Sequence, residues 1–268
     1  MADARTLAAL LEHALAESAR RFVDVQRARD TESGARTRVL SGGHVVVDGG
    51  RHAGSNISRV YGLGLHEPVD RALLEEVTGF FATSRFAARA LVYAPVEPRV
   101  RPALVDAGFA PLRTDVVLWR GLDDVVHAEA EGAPSLVCDD LVSWTRALAP
   151  AFDAQDERED TLLHRHAAFV APPNAVFAVV DDGAIVAGGA LALEGEVAYF
   201  LADGTRTEAR GRGHQCALID ARVRYAARRG ARHAFAITAD GVVSERNYLR
   251  AGFVRLCTAE IFTSSKAS

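Results

Sequence analysis

The chain has 268 residues, 49% of them hydrophobic, which is enough to build one large core or two domains. A net charge of −4 provides no strongly basic face, so nucleic-acid binding is not expected. No apolar run approaches the roughly twenty residues that span a bilayer, and Cys138, Cys216 and Cys257 have neither metal nor redox spacing. They read as small core residues of a reduced protein, and a cytoplasmic location is the expectation.

At the N-terminus Leu7, Leu10, Leu11, Ala14 and Leu15 recur at helical spacing, while Glu12, His13 and Glu17 interrupt any targeting-type apolar core. Leu73, Leu74, Val77, Phe80 and Phe81 form a second apolar helical face. Ala90–Ala94 then reads as a strand, followed by a short helix, Gly108-Phe109 and another strand. The stretch from Arg120 to Pro134 turns acidic and ends in Gly/Pro punctuation, so two domains are expected, 1–125 and 126–268. Beyond it come a helix at 141–148, the charged stretch 153–160 and a helix near 162–170. Phe177–Val180 and Ala184–Leu193 make a hairpin around Asp181-Asp182-Gly183.

The chemistry concentrates after the next strand, 197–202. Arg210-Gly-Arg-Gly-His-Gln215 turns that strand into a helix that runs to Gly230. A glycine-rich turn at a helix N-terminus leaves backbone N–H groups pointing outward, which with the helix dipole and two arginines makes an anion site. A buried strand, 234–238, and a short helix carrying Tyr248-Leu-Arg-Ala-Gly252-Phe253 follow. An offset of 144 residues lays Ala90–Ala94 on Ala234–Thr238 and Ala107-Gly-Phe109 on Ala251-Gly-Phe253. The N-terminal half therefore reads as a degenerate copy. His66-Glu-Pro-Val69 replaces the glycine-rich turn, and Leu104 replaces Tyr248.

Together, the turn at 210–215 and Tyr248-x-x-x-Gly252-Phe253 resemble the GNAT superfamily of acyl-CoA N-acyltransferases. The likeness covers roughly residues 135–262 well and the N-terminal part weakly. It implies an α/β (α+β) chain of two GNAT-like halves, each a mixed, twisted sheet flanked by helices, with the active site in the C-terminal half. It also implies acetyl-CoA, or another acyl-CoA, as co-substrate, no metal, and a small-molecule amine as acceptor. On that resemblance the backbone of Asp203, Gly204 and Thr205 takes the pantetheine arm, Gly204 allowing close approach. Arg210, Gly211, Arg212, Gly213, His214 and Gln215 cradle the pyrophosphate. Tyr248 protonates the leaving thiolate, its ordinary pKa of about 10 keeping it protonated at neutral pH.

Two positions depart from the family pattern. Gln215 stands where Gly or Ala is usual. Gly241 stands where relatives carry an asparagine that contacts pantetheine, a contact for which Asn247 is the substitute. Glu194, Glu196 and Glu208 are candidate bases but read first as surface charges. His164 and His166, two apart on a helix, do not share a face for a metal. The acidic stretch 153–160 lies where the family shapes its acceptor pocket. Two further readings stay open: a donor carried on a carrier protein or tRNA, and a non-catalytic sensor of CoA or a metabolite. The oligomeric state is expected to be monomer or homodimer.

Overall fold

The computed structural model describes residues 3–54, 56–125, 135–137, 140–152 and 159–265. Cys138, residues 126–134 of the expected linker and residues 153–158 of the acidic stretch lie outside the described residues. The chain divides into two compact units, residues 1–117 with 256–268, and residues 118–255.

The first unit begins with α1 (Ala4–Arg29), started by the Asp3 carboxylate, which accepts from the Thr6 backbone N–H. Strands β1 (Arg36–Val39), β2 (Val45–Asp48) and β3 (Arg59–Tyr61) follow, then α2 (Arg71–Phe81), β4 (Arg89–Tyr93), α3 (Glu97–Asp106) and β5 (Phe109–Gly121). All five apolar positions expected on the α2 face are buried. The final strand of the chain, β11 (Val254–Ser264), pairs antiparallel with β4 in the register Ala259↔Tyr93 to Thr263↔Arg89. The sheet order here is β1-β2-β3-β4-β11, with the β3–β4 step parallel. Ala16, Ala19 and Val23 of α1 pack on Val47 and Tyr61. The expected boundary kept residues 256–268 with the C-terminal half. The compact units assign them to the first one, because β11 finds its ladder on β4.

The second unit contains β6 (Ser135–Val137), α4 (Leu141–Leu148), α5 (Glu159–Val170), β7 (Ala175–Asp181), β8 (Ala184–Glu194) and β9 (Val197–Thr205). These are followed by α6 (His214–Arg228), β10 (His233–Ala239) and α7 (Val243–Arg250). The order is β10-β9-β8-β7-β6, again with a single parallel step, β9–β10. The β7–β8 turn has positive φ at Asp182 and Gly183, the geometry that twists with its strands. The last residues of β5 belong to this unit, where Trp119 Nε1 donates to His233 Nδ1 at 3.3 Å.

Adjacent glycines on β8 admit a helix on each face. A Cβ on Gly188 would stand 2.6 Å from Trp144 Nε1 of α4, and one on Gly189 2.7 Å from Arg222 Nη1 of α6. Trp144, Leu148, Val176, Ala178 and Ala190 form the core beneath α4. The 144-residue offset lays α2 on α6, β4 on β10, α3 on α7 and β5 on β11, so the repeat extends to element order.

Candidate active site

The glycine-rich turn sits where β9 ends. After one short 3-10 turn, Thr207–Ala209, the chain reaches Arg210, and α6 opens at His214 with Gly213 as N-cap. Gly211 and Gly213 hold φ of +80° and +81°, a region that L side chains avoid, and a Cβ on either would meet nothing within 4 Å. Glycine is thus required here by backbone conformation, and it leaves open space above the turn. No side chain caps the N-terminus of α6, so its first donors are left for another acceptor. Arg210 Nε donates to the Thr205 carbonyl at 3.2 Å, and Arg212 makes a half-exposed pair with Asp181 at 3.2 Å. His214 Nε2 is buried without a hydrogen-bond partner. The corresponding helix of the first unit is closed to anions: the Asp70 carboxylate accepts from the Leu73 N–H at 2.8 Å.

Gln215 does not crowd this turn. Its amide reaches sideways to α7, where Nε2 donates to Ser244 Oγ at 2.9 Å and Oε1 accepts from Asn247 Nδ2 at 2.7 Å. The Asn247 side chain, proposed from sequence to contact pantetheine, is therefore already bonded to Gln215, and its oxygen accepts from Arg250. Gly241 N donates to the buried Glu245 carboxylate at 2.7 Å.

Strand β9 carries an extra residue opposite β8. The register passes from Ala190↔Leu201 to Gly188↔Gly204, and Ala202 adopts a φ of +53°. A Cβ on Gly204 would lie 2.9 Å from the Phe152 ring, so the close approach made by this glycine is to Phe152. At the bulge, Asp203 Oδ2 accepts from the Tyr248 hydroxyl at 2.5 Å, and Asp203 Oδ1 lies 2.5 Å from Arg222 Nη2. Tyr248 is buried at 2% exposure, packed edge-on against Phe200 and Phe253. Burial, reinforced by the Asp203 charge, holds its phenol well above the ordinary range.

Sequence reasoning found Asp203 only as backbone and missed Arg222. The available signal was an arginine inside the buried stripe of α6, among Leu218, Ile219, Val223 and Ala226. The candidate bases fare poorly. Glu194 and Glu196 sit at the β8–β9 turn, seven strand residues or about 23 Å from Asp203 in the case of Glu196. Glu208 is exposed and pairs with Arg206 at 2.7 Å. His166 is stacked on Phe169 and bonded to Thr145, and the described residues contain no cluster suited to a metal. Among them, no helix is long and apolar enough to cross a membrane.

Residues 139–253 match the model of the acetyltransferase (GNAT) family. That segment therefore carries a GNAT-type domain. GNAT enzymes transfer acyl groups from acyl-CoA to amines, and the match over this segment supports that general activity. No curated protein matches the chain. Among solved structures, a GCN5-related N-acetyltransferase from Kribbella flavida is 20% identical, with a TM-score of 0.66, covering 91% of this chain and 96% of its own. A tandem GNAT protein from the clavulanic acid biosynthesis pathway is 17% identical, with a TM-score of 0.60, covering 92% and 88%. A putative GNAT-family acetyltransferase from Novosphingobium aromaticivorans is 20% identical, with a TM-score of 0.55, covering 91% and 96%. At such identities the likeness establishes the fold, here the tandem GNAT fold along most of the chain.

Proposed function

We propose that the chain is an acyl-CoA-dependent N-acyltransferase that moves an acetyl group from acetyl-CoA to the amine of a small molecule. Its catalytic half in sequence is 126–268, of which 256–268 group with the first unit, and its N-terminal half, 1–125, has kept the scaffold without a cofactor site. The observation that carries the reading is the uncapped N-terminus of α6, open above Gly211 and Gly213 and flanked by Arg210 and Arg212. Pyrophosphate bound there accepts from the free donors and meets the positive end of the helix dipole. The bulged end of β9, residues 203–205, offers backbone groups to the pantetheine arm. When the amine attacks the thioester carbonyl, a C–N bond forms and the C–S bond breaks. The amine gives up one proton to solvent water, the thiolate takes one from Tyr248, and the phenolate regains its proton from solvent, so the sum is acyl-CoA plus amine to amide plus CoA thiol. The chain is placed in the cytoplasm, as a monomer or homodimer.

Titration calorimetry with acetyl-CoA tests the donor site. Micromolar binding is expected, with a loss of at least about tenfold in Arg210→Ala/Arg212→Ala, a conservative figure for removing two charge-assisted contacts. Tyr248→Phe is expected to keep that affinity and lower thiol release by about a hundredfold. Absence of binding by the wild type would sink the reading and bring forward a donor borne on a carrier protein or tRNA. One observation favours a second reading, a CoA-binding sensor: the Tyr248 proton is already committed to Asp203. Binding without thiol release from any amine tried would decide for the sensor.

A further inference from the structure

Three costly features of the second unit meet at one tyrosine. Arg222 is fully buried, with Nη1 donating to the Ala190 carbonyl and Nε to the Leu218 carbonyl, both at 3.1 Å, and its guanidinium 4.8 Å from the Phe200 ring centroid. Burying such a cation is unfavourable unless a closely held partner offsets the lost hydration. Ala202 holds a left-handed backbone in the bulge that re-aims Asp203. Gly189 gives up its side chain, since a Cβ there would stand 2.6 Å from Asp203 Oδ1.

The first unit is an internal control. The 144-residue offset lays Arg59 on Asp203 and Leu104 on Tyr248. Arg59 also forms a buried pair, with Glu12 at 2.7 Å, and that carboxylate accepts from Tyr93 on β4. A buried ion pair at this strand position thus belongs to the scaffold of both units. In the second unit the strand supplies the carboxylate, and it is turned toward a tyrosine on α7.

We propose that Asp203, clamped by Arg222, is the positioning residue for Tyr248, holding its hydroxyl at the β9 bulge and governing when its proton is released. The inference rests on the acyl-transfer reading. A phenol has one proton and donates it to one acceptor at a time, so the bond to Asp203 must open before a thiolate is protonated. The charged and titratable groups bearing on the phenol are Asp203 and Tyr199 from β9 and Arg222 from α6. The carboxylate opposes a phenolate and the guanidinium favours one. In Asp203→Asn the amide oxygen still accepts from the hydroxyl, while the opposing charge is gone.

The test is a pH titration of 3-fluorotyrosine-labelled protein by fluorine NMR, with Tyr248→Phe assigning the line among the five tyrosines. In Asp203→Asn the Tyr248 line is expected to titrate at least about one pH unit lower than in wild type. Turnover falls about tenfold with KM for acetyl-CoA within twofold, and the alkaline limb of kcat moves down with the line. If Arg222, left without its partner, prevents folding, Asp203→Asn/Arg222→Met removes both charges and the same readouts apply, the line moving in the same direction. An unmoved line and kcat within twofold in folded variant protein would overturn the proposal and leave Asp203 a packing residue. A moved line in a protein that releases no thiol would uphold the hold on Tyr248 and sink the acyl-transfer reading instead.

Discussion

At the scale of the residue, the site is organised by what two kinds of glycine allow. Gly211 and Gly213 supply positive φ over open space, so their role was legible in a motif of spaced glycines feeding a helix. Gly189 was not legible, because its reason is Arg222, 33 positions away in the chain and brought beside it by packing. Its side of β8 is filled by a guanidinium that has no room to withdraw, being fully buried. Gly189→Ala is therefore expected to destabilise the protein by about 1–3 kcal/mol, the range for overpacking a filled core. Urea denaturation measures it, and a change below about 0.5 kcal/mol would mean that the Arg222–Asp203 pair gives way more easily than its geometry implies.

Elements come next. The short helix α7 carries Tyr248, yet with only eight residues it has little intrinsic stability of its own. Its attachment to α6 passes through Gln215, which bonds both Ser244 and Asn247. The departure from the family's Gly or Ala is thereby a tether between helices, its amide directed away from the glycine-rich turn. Gln215→Ala removes two hydrogen bonds and strands the Asn247 amide, 9% exposed, so a loss of about 1–3 kcal/mol is expected. Acetyl-CoA affinity should change less than about threefold, because the backbone donors of the turn are untouched. Paired denaturation and calorimetry check both halves. A large loss of affinity with unchanged stability would assign the Gln215 side chain to the cofactor.

For the whole molecule, the two halves of the sequence are not the two halves of the structure. The last strand, β11, is closest in sequence to α7 but takes its antiparallel partner from β4, and its Ala259 and Phe262 are fully buried. Removing residues 256–268 should expose β4 along one edge while the β8–β9 and β9–β10 pairings persist. Hydrogen exchange is expected to lose at least about tenfold in protection over 89–93, with β9 and β10 amides much less affected. Equal loss in both regions would mean that the units do not hold their structure separately.

Sequence alone determined the helices and strands around the turn, the repeat at 144 residues and the family likeness. These depend on periodicity, glycine placement and local spacing, which a chain displays before it folds. Strands β1, β2 and β3 escaped it, being three or four residues each and too short for alternation to register. Only tertiary structure decided that β11 belongs with β4, that Gly204 is approached by Phe152, and that the Tyr248 hydroxyl donates its hydrogen bond to a carboxylate paired with Arg222. Each of these pairs residues far apart in the chain, and what selects them is the exclusion of alternatives by packing and the need of buried charge for a partner.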